Sequence, residues 1–262
     1  MNKYLLSLAV CAIALPACSF FGSKENKSDE ASVQKTEDKI MKKTIFTFFG
    51  APGSGKGTLA EKCATELDFK VLSTGNLCRA VATKDDEKSK IITSIISEGK
   101  LVPDEMIAEM VEEWLTKEAA DAKAIILDGY PRTQKQAELL FDILKNKFAD
   151  YKFRVISLVI PDAEIIERLT CRRVCSNKDC QSTTSLKLLK DPTKLICEKC
   201  GSELIQRKDD SEEVIRQRLN VYAQHSGSVL NFYKENGVKI EELNVSKITV
   251  DDVFENFKKM LQ

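Results

Sequence analysis

Short apolar runs alternate with amphipathic stretches along most of the chain after residue 43. Residues 45–49, 124–127 and 154–160 are nearly continuous apolar runs, typical of strands buried on both faces of a sheet. Apolar residues recur at helical spacing between and after these runs, which predicts helices; the clearest such stretches are residues 59–67, 91–98, 105–118, 163–169 and 250–260. Strands that alternate with helices predict an α/β fold with a parallel sheet flanked by helices.

The first forty residues have a different pattern. A short basic start precedes about eleven apolar residues, which is too few to span a bilayer and typical of a secretory signal. The apolar stretch ends in the sequence LPACS, which resembles a bacterial lipoprotein cleavage box with Cys18 as the acylated residue. Residues 19–39 are rich in Ser, Lys, Glu and Asp, so we expect residues 1–40 to form an export signal and a disordered tether. The alternative is a translation start at Met41, directly before the first predicted strand.

Composition argues against several classes of function. The 262 residues suffice for one large domain or for a core with a small insertion. Lys plus Arg equals Asp plus Glu at 40 each, so the chain has no overall basic field and we expect no nucleic-acid partner. A single histidine, His225, argues against a histidine-based triad or metal site. Nine cysteines are many, and their spacing matters more than their number.

A glycine-rich loop lies between the first predicted strand and the first predicted helix. Its sequence is GAPGSGKGT, residues 50–58. Glycines allow several backbone N–H groups to converge on one anion, and the following helix N-terminus adds a partial positive charge. Lys56 can reach the outer phosphates of a nucleotide. The sequence therefore predicts a phosphate-binding loop, with Gly57 where the general pattern has Ser or Thr, and with these binding residues: Gly53, Ser54, Gly55, Lys56, Gly57 and Thr58.

A second group of candidate residues follows the strand at 124–127. Asp128 comes directly after it, at the end of a parallel strand where open α/β sheets bind ligands. Its carboxylate can hold Mg²⁺ through water, since Mg²⁺ keeps several of its waters. Arg132 can bind a phosphate bidentately. Further along, Arg168 and Arg172 are four residues apart, and we expect them to share one face of the helix that begins near residue 163.

Four cysteines form two short pairs. Cys175 and Cys180 are separated by four residues, Cys197 and Cys200 by two, and sixteen residues lie between the pairs. This spacing fits a tetrahedral structural zinc site, and a metal would stabilise a polar segment with little apolar content. The alternative is two disulfides, which an exported protein would favour. Three further cysteines without evident partners suit a reducing compartment better; they are Cys63, Cys78 and Cys171.

Several motifs together resemble the adenylate kinases, a family of nucleoside monophosphate kinases. They are GAPGSGKGT at residues 50–58, STGN at 73–76, DGYPRT at 128–133 and RKDD at 207–210. The resemblance covers about residues 44–262. It implies a P-loop kinase core at residues 41–262, with an AMP-binding helical insertion at 73–102 and a zinc-binding lid at 170–208. It departs from the family at Asn76, where the family has aspartate.

The resemblance also implies residue roles. ATP would be bound by the loop and by Arg168, Arg172, Thr183 and Thr184, with an adenine contact from the backbone near Lys247. Gln136 matches the glutamine that binds the adenine of AMP, whereas UMP and CMP kinases tend to have asparagine there. The AMP site carried over from the family comprises Thr74, Arg79, Lys100, Leu101, Val102, Gly129, Tyr130, Arg132, Gln136, Arg207 and Arg218.

The implied reaction is ATP + AMP ⇌ 2 ADP, with Mg²⁺ accompanying ATP and a structural Zn²⁺ in the lid. Phosphoryl transfer needs no covalent intermediate, so positively charged and well-placed groups carry it. The expected catalytic residues are Lys56, Arg132, Arg172, Arg207 and Arg218, with Asp128 for magnesium and Asp209 and Asp210 to orient the arginines. The alternatives are a related kinase for UMP or CMP and a non-catalytic, lipid-anchored nucleotide-binding protein.

The resemblance bears on partners and compartment too. We expect a monomer whose partners are ATP and AMP, with membrane contact only if Cys18 is lipidated. A kinase that consumes ATP needs a compartment supplied with it. We therefore expect the catalytic core in the cytoplasm, and the alternative is a lipid anchor in the bacterial envelope.

Overall fold

The computed structural model describes residues 43–82 and 87–262. The expected signal and tether at residues 1–40, with Cys18 and the alternative start at Met41, lie outside the described residues. Within the described ranges, no helix combines the length and the apolar content that crossing a bilayer requires.

The strands and helices of the described residues agree with most of the predicted elements. The strands are β1 (Thr44–Phe49), β2 (Lys70–Ser73), β3 (Ala124–Asp128), β4 (Lys152–Val159), β5 (Arg172–Cys175), β6 (Thr183–Ser185), β7 (Leu204–Ile205) and β8 (Ile240–Asn244). The helices are α1 (Lys56–Leu67), α2 (Thr74–Val81), α3 (Glu87–Ser97), α4 (Asp104–Glu118), α5 (Gln134–Lys147), α6 (Asp162–Thr170), α7 (Glu212–Glu235) and α8 (Val250–Leu261).

Five strands form one parallel sheet in the order β2-β3-β1-β4-β8, as the alternation of strands and helices predicted. The central strand β1 pairs with β3 on one side and β4 on the other, so that Phe48 lies opposite both Asp128 and Ile156. Since all five strands run the same way, the loop after β1 and the carboxylate that ends β3 lie at the same edge of the sheet.

Both faces of the sheet are covered, which explains the continuous apolar run of β1. Phe46 and Phe48 point to one face, where the ring of Phe257 from α8 packs edge-on against both. Ile45 points to the other face and belongs to the cluster that contains α4 and α5. A strand buried on both faces has no reason to alternate apolar and polar residues.

A second, smaller sheet is antiparallel, with the order β6-β5-β7. It lies within the segment expected to be the lid. Arg172 pairs with Ser185, and Val174 with Ile205. Cys175 and Leu204 of this sheet form a small apolar cluster with Cys197 from the segment between β6 and β7.

The expectation that Arg168 and Arg172 share one helical face is wrong. Helix α6 ends at Thr170, and Cys171 is its C-terminal cap. The carbonyl of Cys171 accepts a hydrogen bond from the backbone N–H of Leu186 at 2.8 Å, and the chain then continues as β5. Pairing with β6 and β7 satisfies the backbone of residues 172–175, so these residues leave the helix. Arg168 is therefore on α6, while Arg172 is on the small antiparallel sheet.

Candidate active site

The loop between β1 and α1 has the backbone that its glycines allow. Gly55 caps α1 with a φ of 96°, in the left-handed region that favours glycine. Gly53 has a φ of 84°, and a Cβ there would lie 2.8 Å from Cγ of Leu169 on α6. The loop therefore packs directly against the neighbouring helix. A side chain at Gly53 would therefore push the loop away from α6, and one at Gly55 would strain the backbone.

Lys56 turns back onto this loop. Its Nζ donates to the carbonyl oxygens of Gly50 at 2.8 Å and Ala51 at 2.9 Å, and to Oγ of Ser54 at 3.4 Å. Burial lowers the pKa of Lys56 to about 8; the nearby carboxylate of Asp128 opposes this shift and three arginines add to it. The ammonium is thus held at the loop by carbonyl oxygens that an incoming phosphate can replace.

Gly57 leaves room beside Asp128. A Cβ at Gly57 would lie 3.3 Å from Oδ2 of Asp128, which is closer than most such contacts. Asp128 ends β3 opposite Phe48, and both Gly57 and Thr58 line the same cleft as the carboxylate. A carboxylate oxygen at the carboxyl edge of the sheet, next to a phosphate-binding loop, is a ligand type that Mg²⁺ accepts.

Two consecutive aspartates organise three arginines. Arg172 binds the fully buried Asp210 bidentately, with Nε donating to Oδ2 at 2.7 Å. Arg218 donates to Oδ1 of the same carboxylate at 3.1 Å and to the carbonyl of Asp209 at 2.9 Å. Arg207 donates through Nε to Oδ1 of Asp209 at 2.8 Å. Each aspartate therefore fixes an arginine in place.

Asp209 stays ionised in this cluster. Burial opposes the charged form, but the hydrogen bonds and charge of Arg207 and the charges of Arg218 and Arg172 hold the pKa of the carboxyl well below its usual range. Asp209 thus remains anionic at neutral pH.

Two further arginines lie where α2 and the DGYPRT segment meet. Arg132 donates through Nε to the carbonyl of Gly129 at 2.7 Å and is exposed to the cleft. Arg79 donates to Oδ1 of Asn76. Asn76, the departure from the family motif, therefore holds Arg79 with a neutral acceptor. The positive charge of Arg79 remains without a carboxylate at this position.

The site contains a large cleft and a smaller cavity. The cleft has a volume of about 1900 Å³ and lies against the loop, Arg168, Arg172, Thr183 and Thr184. The smaller cavity, of about 280 Å³, is lined by the residues expected to contact AMP; these include Thr74, Lys100, Leu101, Val102, Gly129, Tyr130 and Gln136. Arg79, Arg132, Arg207 and Arg218 line both spaces.

The far end of the cleft is formed by the segment after β8. Arg168 donates to the carbonyl of Val245 at 2.6 Å, and Lys247 lines the cleft with a φ of 55°. Ile248 and Val250 line it too and are partly exposed. The resemblance implied a contact near Lys247. Ile248, in the same loop, and Val250, the first residue of α8, were not predicted as site residues, because single exposed apolar residues form no pattern.

The four paired cysteines converge in the segment that contains the small antiparallel sheet. The Sγ atoms of Cys175, Cys180, Cys197 and Cys200 all lie within 4.8 Å of one another. Cys175 and Cys200 are 3.3 Å apart and Cys180 and Cys197 are 3.8 Å apart, so neither pair is a disulfide. A tetrahedron with zinc–sulfur bonds of about 2.3 Å needs sulfur atoms about 3.8 Å apart. The cluster therefore fits a tetrahedral metal ion.

These features define a class of protein. A glycine-rich loop follows the central strand of a parallel sheet, a lysine lies on that loop, and a carboxylate ends the neighbouring strand. Together they are typical of a P-loop nucleotide-binding protein. The sequence model of the adenylate kinase family matches residues 48–238. The chain belongs to the adenylate kinase family.

Relatives from three microorganisms agree with this assignment. An adenylate kinase of Archaeoglobus fulgidus is 38% identical over 193 residues, covering 73% of this chain and 86% of the relative. One of Kosmotoga olearia is 36% identical over 214 residues, covering 80% and 97%. One of Bacillus pumilus is 37% identical over 218 residues, covering 82% and 97%.

Proposed function

We propose that the chain catalyses reversible phosphoryl transfer between ATP and AMP, ATP + AMP ⇌ 2 ADP. One observation carries the proposal beyond family membership. The cleft at the phosphate-binding loop and the smaller cavity share a wall that contains Arg79, Arg132, Arg207 and Arg218. Two nucleotides bound in these two spaces would bring their phosphates to the same arginines, as direct transfer requires.

The donor site is proposed to be the large cleft. The loop residues Gly53 to Thr58 would surround the outer phosphates of ATP, with Lys56 moving from the loop carbonyls to the phosphate oxygens. Arg168 and the backbone near Lys247 lie together at the far end, where an adenine ring would fit. Thr183 and Thr184 of β6 would contact ATP from the lid.

The acceptor site is proposed to be the smaller cavity. Arg79 and Arg132 would hold the phosphate of AMP, and Thr74, Gly129 and Tyr130 would form the wall beneath it. Lys100, Leu101, Val102 and Gln136 would surround the adenine. Gln136 offers an amide where the base would lie, and an amide can accept and donate at the edge of adenine.

The chemistry is proposed to rest on charge rather than on a nucleophilic side chain. The transferring phosphoryl group spreads negative charge over three oxygens. Arg172, Arg207 and Arg218 would stabilise that charge, and Asp209 and Asp210 hold them in place without taking part in bond making. Lid closure over the cleft would exclude water, which otherwise would hydrolyse ATP.

Two metal ions belong to the proposal. Asp128 would hold Mg²⁺ beside the loop, where the ion neutralises charge on the outer phosphates of ATP. The four lid cysteines would hold a structural Zn²⁺, since their sulfur atoms have the spacing of a tetrahedral site.

We also propose a cytoplasmic catalytic core, because the reaction consumes ATP. The N-terminal mass of the native protein distinguishes a start at Met41 from a lipidated Cys18.

A coupled assay with ATP and each of AMP, UMP, CMP and GMP tests the proposed reaction. We expect AMP to give the highest kcat/KM. A clear preference for UMP or CMP would replace the proposal by the related kinase activity. Absence of turnover with all four, together with tight ATP binding, would support the non-catalytic alternative.

A further inference from the structure

The amide of Gln136 is held in one orientation by two groups that cannot exchange roles. Its Oε1 accepts from the backbone N–H of Arg132 at 2.8 Å, and its Nε2 donates to Oδ1 of Asp104 at 2.8 Å. A backbone N–H can only donate and a carboxylate can only accept. The chemistry of the partners therefore dictates which end of the amide is oxygen and which is nitrogen.

Asp104 is itself held in place. It is the first residue of α4, and the same Oδ1 accepts a second hydrogen bond from Oγ1 of Thr133 at 3.0 Å. Thr133 caps α5, where its Oγ1 also accepts from the backbone N–H of Gln136 at 3.1 Å. The carboxylate thus joins the N-termini of two helices at the back of the smaller cavity.

The amide keeps one donor and one acceptor free of these two bonds. A primary amide has two N–H groups and two acceptor positions, and Asp104 and Arg132 use one of each. Gln136 is buried, with 2% of its surface exposed, and it is one of the residues that line the smaller cavity. Adenine presents an acceptor, N1, beside a donor, the 6-amino group. A 6-oxopurine presents the reverse, a donor at N1 beside an acceptor at O6.

We propose that Asp104 is a positioning residue that sets base selectivity, because it fixes the Gln136 amide in the orientation that pairs with adenine and mismatches a 6-oxopurine. The inference rests on the proposed function, with the smaller cavity as the acceptor site. Turning the amide to suit a 6-oxopurine would set its oxygen against the carboxylate and its nitrogen against the Arg132 N–H. Both hydrogen bonds would be lost in a buried place, where unpaired polar groups are costly.

The test compares AMP with IMP, which carries hypoxanthine and differs from AMP at the base edge. The variants are Asp104→Ala and Asp104→Ser, and serine keeps a residue that suits a helix start but is too short to reach Gln136. Glu105→Ala is the matched control, since Glu105 is the other acidic residue in the first turn of α4. Loss of charge at the helix start is thereby separated from loss of the contact.

We expect the ratio of kcat/KM for AMP to that for IMP to fall by about tenfold in both Asp104 variants, the size expected for one buried hydrogen bond to a charged group. The loss lies mainly in the KM for AMP, while the KM for ATP stays unchanged. The Glu105→Ala protein keeps the wild-type ratio. If one Asp104 variant does not fold, the other is sufficient to test the role of Asp104.

If the wild type phosphorylates AMP and a folded Asp104 variant keeps the wild-type ratio of kcat/KM for AMP to that for IMP, the proposed role of Asp104 is wrong. The proposed function is untouched by that result. A wild type that forms no ADP from ATP and AMP would instead remove the proposed function on which it rests.

Discussion

Arg172 and Asp210 form a bidentate pair across the base of the proposed lid, although they are 38 positions apart in sequence. The carboxylate is fully buried and also accepts from Arg218. A strand residue of the lid is thereby fixed to the segment that re-enters the core. The same pair sets the direction of a guanidinium that faces the proposed phosphoryl group.

Replacing Arg172 by lysine should lower kcat by roughly 100-fold, because an ammonium cannot reproduce the two parallel hydrogen bonds that aim the guanidinium. The KM for AMP should change little. Steady-state kinetics with circular dichroism as a check on folding measures both. The matched control is Arg173→Lys, since the Arg173 guanidinium donates only to the backbone carbonyl oxygens of Thr170 and Arg172 among its described contacts. This variant should stay within about twofold of wild type. Equal losses in the two variants would contradict the assigned role.

Nucleotide binding should weaken above pH 8, because the pKa of Lys56 in the free protein is about 8. Burial lowers this pKa, with Arg132, Arg218 and Arg172 adding to the effect and Asp128 opposing it. Phosphate oxygens favour the charged lysine, so bound ATP raises the pKa and binding takes up a proton. At pH 9 the uptake should approach about 0.9 proton per ATP.

Titration calorimetry in buffers of different ionisation enthalpy measures that proton uptake. The Lys56→Arg variant stays charged throughout this range and should show none of it. Uptake that persists in Lys56→Arg would assign the proton to another group.

The lid should contain about one zinc per chain by elemental analysis, as a single four-cysteine site predicts. A Cys197→Ser variant should lose the metal and most of its turnover, because the lid has little apolar content and would unfold without the metal. Cys171→Ser is the control, since this free thiol lies outside the cluster and should leave the zinc content unchanged. A preparation without metal whose lid cysteines resist thiol reagents until reduced would support two disulfides.

The lid also touches the core through an exposed ion pair between Lys199 and Glu61 on α1. Lys199→Ala removes the pair and should raise the KM for ATP by no more than about fivefold, because exposed ion pairs stabilise only weakly. The increase in KM should vanish at high salt, which screens the pair. Lys194→Ala is the control, because Lys194 pairs with Asp191 inside the lid itself. A double-mutant cycle with Glu61→Ala isolates the pair. A coupling free energy near zero at low salt would show that the contact does not hold the lid.

The sequence predicted what depends on local pattern. Strand β1, the loop after it and Asp128 at the end of β3 follow from apolar runs and glycine spacing, because neighbours in sequence determine them. The cysteine cluster followed from spacing in the same way. Strand β8 was not predicted, since its sequence IEELN belongs to a polar edge strand with few apolar residues.

Contacts between distant segments could not be predicted. Arg172 was assigned to a helix because its distance from Arg168 fits one, whereas the pairing of β5 with β6 and β7 decides its conformation. Asp104 is the first residue of α4. Its bonds to Thr133 and Gln136 bridge 29 and 32 residues, and no local pattern contains them.

The small cluster of Cys175, Cys197 and Leu204 makes the lid more sensitive to oxidation than the main sheet. Two of the three buried residues in this apolar cluster are thiols, whereas the main sheet is packed mostly with aromatic and aliphatic side chains. An oxidant such as peroxide converts exposed thiolates to sulfenic acids and disulfides but leaves hydrocarbon side chains intact. Cys200 is exposed, so attack can begin there. Oxidative damage would therefore disable the lid first, in a protein whose core remains folded and still competes for nucleotides.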